Sequence, residues 1–146
     1  MPLAGAVFVY LQSMNESVLR ALMRLFAIIS DFNKEGQTES KRRIVMDYLD
    51  RQYSHEIVHK YIEFYDQQVS YLHKLSSDNE KYNFVERKSK AENRILELFT
   101  QINVELEHEQ KIIVLIYLLD FIQCGNKVSK SELSLVRTAA HSLKIN

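Results

Sequence analysis

Three glycines, one proline, one cysteine and no tryptophan among 146 residues make this chain poor in the residues that punctuate and staple folds. Sheet sandwiches, barrels and doubly wound nucleotide folds turn on glycine and proline. The phosphate-binding loop needs two glycines five apart, whereas Gly5, Gly36 and Gly125 stand isolated. The lone Cys124 excludes an internal disulfide and a cysteine-based zinc site, and fits a reducing, cytoplasmic setting. An excess of one charge is also lacking: 19 basic residues face 19 acidic ones, nine against nine through Leu75 and ten against ten beyond it. With neither half basic, no nucleic acid partner is expected. The uncharged run Leu3 to Leu11 falls far short of the roughly 20 apolar residues of a spanning helix, so no direct membrane insertion is expected. No Lys or Arg precedes it, as one would in a secretory signal. Residues 1–13 read as an N-terminal extension and residues 14–146 as a single domain, with Met14-Asn15-Glu16-Ser17 as its natural beginning.

What the chain does have is apolar residues at helical spacing, 46% of the whole. From Val18, the residues Leu19, Leu22, Met23, Leu25, Phe26, Ile28 and Ile29 make a broad stripe that stops at the turn-rich Ser30 to Gly36. Thr38 begins a second helix through about Gln52, burying Ile44, Val45, Tyr48 and Leu49. Ser54 begins a third, with Ile57, Val58, Tyr61, Ile62, Phe64, Tyr65, Val69, Leu72 and Leu75 inward. Ser76 to Lys90, charged and short of anchors, reads as an exposed connection or a short irregular helix. A fourth helix is expected over about Ala91 to Glu107. Ile112 to Leu119 is apolar on all sides and reads as a helix enclosed by the others, because no partner strand exists for it. Ser129-Lys130-Ser131-Glu132 is a capping box opening a last helix that buries Leu133, Val136, Ala140 and Leu143. The fold class is all-α, a compact helical bundle of about six helices. Residues 18–52 and 111–145 share one plan, an apolar helix, a glycine-containing loop, a Ser or Thr cap and a thinner amphipathic helix. They read as two pseudo-repeated hairpins.

Two stretches carry candidate chemistry. His55-Glu56-Ile57-Val58-His59 has the spacing that places two imidazoles on one helical face, with Glu63 a turn further on, and a zinc-dependent hydrolase would use them. A third ligand from a separate element is lacking, and Glu56 also suits the positive end of the helix dipole. Asp31-Phe32-Asn33-Lys34-Glu35-Gly36 copies the first half of a calcium loop. Its twelfth position is Arg42 where a bidentate Glu belongs, leaving a turn or a weaker divalent-metal sensor built from Asp31, Glu35 and Glu39. Cys124 has no nearby His to activate it. His73, His108 and His141 read as surface residues, and the tyrosines, Tyr48, Tyr61, Tyr65 and Tyr71 among them, as the rim of the core. No catalytic residue and no cofactor emerge.

The stretch Cys124 to Leu133 resembles the TerB-like (tellurite-resistance) helical domain, in which an apolar helix, a short acidic glycine loop, Ser or Thr, two residues, Glu and a leucine-rich helix follow one another. Asn15 to Asp31 and Gln101 to Leu115 look like the TerB-like region that precedes an ABC-type ATP-binding domain in bacterial multidomain proteins. The resemblance implies an all-helical, non-enzymatic regulatory or protein-interaction domain. It would be cytoplasmic at or near a membrane face, partnered by another protein or a following ATPase domain, and able to form a homo-oligomer. Some TerB proteins hold metal through loop acids. Here Gly125 and Asn126 stand where Asp and Gly would, so only Asp31, Glu35 and Glu39 keep oxygen ligands.

Overall fold

A computed structural model describes residues 16–32, 38–78, 84–124 and 128–143. Among them are six helices and no strand: α1 (Glu16–Ser30), α2 (Thr38–Asp50), α3 (His55–Asp78), α4 (Phe84–Ile102), α5 (His108–Gln123) and α6 (Lys130–Leu143). The all-α expectation holds. The Leu3 to Leu11 run and the extension over residues 1–13 lie outside the described residues, as do Glu35 and the Gly125 loop.

The bundle is organised around α1. Its run of Leu, Ile, Phe and Ala leaves no wide polar face, and Leu22, Met23, Leu25, Phe26 and Ile29 are fully buried. A helix of this composition is stable only when enclosed, and α1 packs against every other helix, most extensively against α3. Its polar residues sit where solvent or partners reach them. Glu16 in the first turn accepts from Lys60 Nζ of α3 at 2.7 Å. Arg20 and Arg24 lay their guanidinium groups over the Phe64 ring of α3 at 5.6 and 5.5 Å.

Short connections set the packing order. Between α2 and α3 the chain reverses within a few residues, where Tyr53 N–H donates to the Leu49 carbonyl at 2.9 Å and Val58 N–H to the Ser54 carbonyl at 3.0 Å. Arg42 of α2 then donates from Nε to both carboxylate oxygens of Asp66 on α3, at 2.9 and 3.1 Å. An aromatic series joins α1, α2 and α5. Phe26 lies 5.1 Å from Phe121 and 6.1 Å from Tyr48, and Tyr48 meets Tyr117 edge-on at 5.0 Å.

Several expectations need correction. The charged stretch expected to be an exposed connection or a short irregular helix is mostly regular helix continuous with its neighbours: α4 begins at Phe84, seven residues before the anticipated start at Ala91. Its early turns carry few apolar anchors because they border the groove described below rather than the core. The same helix ends at Ile102, and Glu107 instead opens α5, its N–H donating to Gln110 Oε1 at 2.8 Å. Tyr48, Tyr61 and Tyr65 are core residues rather than rim residues, leaving Tyr71 exposed. Leu75 is 40% exposed. On α6 the buried stripe is Glu132, Leu135, Val136, Ala139 and Leu143, so Leu133 is displaced to the surface and Ala140 to its edge. Finally, α5 is not enclosed. It rests on α2, α6 and α1, and its remaining face is open.

Candidate interaction site

The metal-ligand candidates are spread over solvent-facing positions. His55, Glu56, His59 and Glu63 of α3 are all exposed, and among the described residues no three His, Cys, Asp or Glu side chains form a group able to hold a metal ion. Helical spacing brings the two histidines to one face, as read from the sequence, but no second helix supplies a ligand. Asp31 turns to a different partner: its carboxylate accepts from Arg87 Nη2 of α4 at 3.2 Å, and the same guanidinium lies over the Phe32 ring at 5.0 Å. Glu39 is exposed at the start of α2. His73, His108 and His141 are exposed as expected. Cys124 is half-buried, its thiol donating to the Phe121 carbonyl at 3.1 Å, and burial pushes that thiol up, away from the reactive thiolate.

What the structure assembles instead is a groove between the second half of α1, the second half of α3 and the first half of α4. It encloses about 470 Å³. Ile28 of α1, Phe32 in the turn after it, Tyr71, Leu72 and Leu75 of α3 and Ala91 of α4 supply its apolar lining. Among the described residues, Arg24, Arg87, Lys90 and Arg94 supply four cations to the lining and Asp31 one carboxylate. Each helix contributes along about two turns, roughly 10 Å at 1.5 Å per residue. The cationic side chains spread their alkyl stems on this apolar ground and hold their charges at its edge. The groove was not read from the sequence because residues 76–90 look like an exposed connection or a short irregular helix, separate from the helix expected to begin at Ala91. The signal was present in Arg87, Lys90 and Arg94, whose i, i+3, i+7 spacing puts three cations on one helical face.

A second unusual surface lies on α5. Ile112, Ile113, Ile116 and Leu119 are 37, 40, 51 and 37% exposed. They form one stripe at i, i+1, i+4 and i+7, with Val114, Tyr117, Leu118, Phe121 and Ile122 buried on the opposite side. A set of large aliphatic side chains on one helical face is the pattern of a partner contact, since scattered exposed residues would not line up.

Between these surfaces, the interior holds a buried ion pair. Lys41 of α2 donates from Nζ to Glu132 Oε2 of α6, with side chains 2 and 0% exposed. The ammonium also lies 4.9 Å above the Phe121 ring. Glu132 is simultaneously the far half of the anticipated capping box: its N–H donates to Ser129 Oγ at 3.0 Å and its Oε1 accepts from Ser129 N–H at 3.3 Å. With no opening to solvent, the pair joins helices and offers no reactive group to a substrate. The two residues lie 91 positions apart in the chain, so the pair ties α2 to α6 through the interior. No family model, curated protein or solved structure matches this chain.

Proposed function

We propose that this chain is a non-enzymatic helical interaction domain, TerB-like in plan, that couples a protein partner to an ATP-using module. The observation that carries the reading is the α5 stripe. The most apolar segment of the second hairpin keeps Ile112, Ile113, Ile116 and Leu119 at the surface although water disfavours them there, each buried aliphatic side chain being worth roughly 1.5–3 kcal/mol. The sequence resemblance to TerB-like regions that precede ABC-type ATP-binding domains points to such a module as the partner. It also implies a bacterial cytoplasmic setting at a membrane face. The surroundings of Cys124, whose thiol is pushed up, and the separation of His55, His59 and Glu63 from ligands on other helices agree with a binding role.

A photo-crosslinking residue at position 116, in cells making the native protein, tests this. The expected result is a discrete adduct with an ATP-binding protein or domain that disappears when Ile112→Glu is added, while the same probe at position 59 gives none. Elemental analysis of the purified chain supplies the opposing test. About one zinc per chain, lost with His55→Ala and His59→Ala, together with hydrolytic activity abolished by Glu56→Gln, would overturn the reading in favour of a hydrolase.

A further inference from the structure

We propose that the groove between α1, α3 and α4 is a docking site for an acidic amphipathic helix of a protein partner. The argument starts from charge. The chain as a whole carries formal net charge +0, yet among the described residues that line the groove there are four cations and one carboxylate, which itself bridges to Arg87. An anionic ligand is therefore complementary to this surface.

The arrangement of the cations selects the kind of anion. Arg87, Lys90 and Arg94 follow one another along α4 at i, i+3 and i+7, a row of charge spaced by about one helical turn each. A single-headed anion, such as a fatty acid, needs donors that converge on one point. A row needs a row, and carboxylates at i, i+3 and i+7 of a second helix repeat with the same pitch. Across from this row, Leu72 and Leu75 of α3 present an apolar wall. Leu75 and Tyr71 remain 40 and 60% exposed, so the groove is open along its length and admits a helix from the side. Its two-turn extent matches the i to i+7 anchor set by which amphipathic helices bind in grooves. The site shares no residue with the α5 stripe, so the two surfaces can serve two partners at once.

The test uses the full chain and a fluorescein-labelled helical peptide with leucine at i, i+3 and i+7 and glutamate along one flank. A second peptide carries lysine in place of each glutamate. Lys90 and Arg94 are both exposed, so K90E/R94E alters the rim without opening the core. The expected result is saturable binding of the glutamate peptide, weakened roughly tenfold or more by K90E/R94E and by raised salt, with the lysine peptide now preferring the double variant. The exchange of preference reports the charge pairing itself, even if the variant loses some stability. Ile116→Glu on α5 is expected to leave peptide binding unchanged. Equal binding of both peptides to the unaltered chain, or indifference to K90E/R94E, would overturn the proposal. So would loss of binding in Ile116→Glu, which would put the contact on α5. Binding of oleate or phosphatidylglycerol vesicles at this site in place of the glutamate peptide would equally overturn it and assign the groove to lipid.

Discussion

α1 and α5 are close in composition and opposite in fate. Both are rich in Leu, Ile, Val and Phe with few charges, and hydrophobicity alone would bury either one. α1 has neighbours on all sides, whereas α5 has α2, α6 and α1 on one side and open solvent on the other. A helix can be covered only by as many neighbours as the fold supplies, and among the described residues the other five helices gather around α1 and leave one face of α5 uncovered. An apolar segment left over in this way is available for a contact outside the bundle.

The contrast can be broken or sharpened by mutation. The largest effect is expected at the buried ion pair that joins α2 to α6. Lys41→Met alone leaves the Glu132 carboxylate buried beside Phe121 without its cation, and a loss of about 3–5 kcal/mol in denaturant unfolding is expected. Adding Glu132→Leu should recover most of it, even though Ser129 N–H loses its carboxylate acceptor. If the double variant is as unstable as the single one, the pair contributes more than compensation for its own burial.

Next in size is the direct comparison of the two helices. Leu22→Ala on α1, at a position 0% exposed, is expected to cost about 2–5 kcal/mol through lost transfer energy and the cavity left behind. Ile116→Ala on α5, 51% exposed, is expected to change stability by about 0.5 kcal/mol or less. Comparable losses from both in urea titrations would show that α5 is covered in solution, by a second copy or another element.

Smaller effects concern titrating groups. The Tyr65 hydroxyl of α3 is buried without a hydrogen bond of normal geometry, although the Ser30 side chain is close enough to offset part of its shift. Burial pushes Tyr48 and Tyr65 well above the ordinary tyrosine range and Tyr53 up to about 12. In the unfolded chain these phenols ionise from about pH 10 while the folded chain keeps their protons. Above that pH the unfolded state binds fewer protons, so stability must fall as pH rises. Thermal melts from pH 9 to 11.5 are expected to show this decline, and Tyr65→Phe should reduce it while raising neutral-pH stability by about 1 kcal/mol, since no bonded hydroxyl is lost. The smallest effect belongs to Glu16, whose carboxyl is held below its ordinary 4.5 by the hydrogen bond from Lys60. Its contribution is present above that value and fades as pH drops through the folded pKa. Being exposed, it should vanish in high salt and in Lys60→Met, which acid titration of the melting temperature checks.

Some features were legible before any coordinates. The broad apolar stripe of α1, the start of α3 after Ser54 and the Ser129/Glu132 cap follow from local rules, because hydrophobic spacing and capping chemistry act within a turn or two. The groove was not legible, for a specific reason. The early turns of α4 bury little and so look like a connection, yet they are helical and align Arg87, Lys90 and Arg94 against residues of α1 and α3 that are distant in sequence. The burial of Glu132 had the same origin: its capping role could be read locally, but its pairing with Lys41 spans 91 positions of the chain.

By itself the sequence determined that the chain is helical, where most helices begin, and that no glycine-rich loop or cysteine framework is available to it. Those properties are set by residue type and short-range spacing. Only the tertiary structure decided which of two apolar helices would be enclosed, which acid would meet Lys41 in the interior, and that a neutral chain would gather four cations around one groove. These depend on how many neighbours each helix finds and on contacts between residues far apart along the chain.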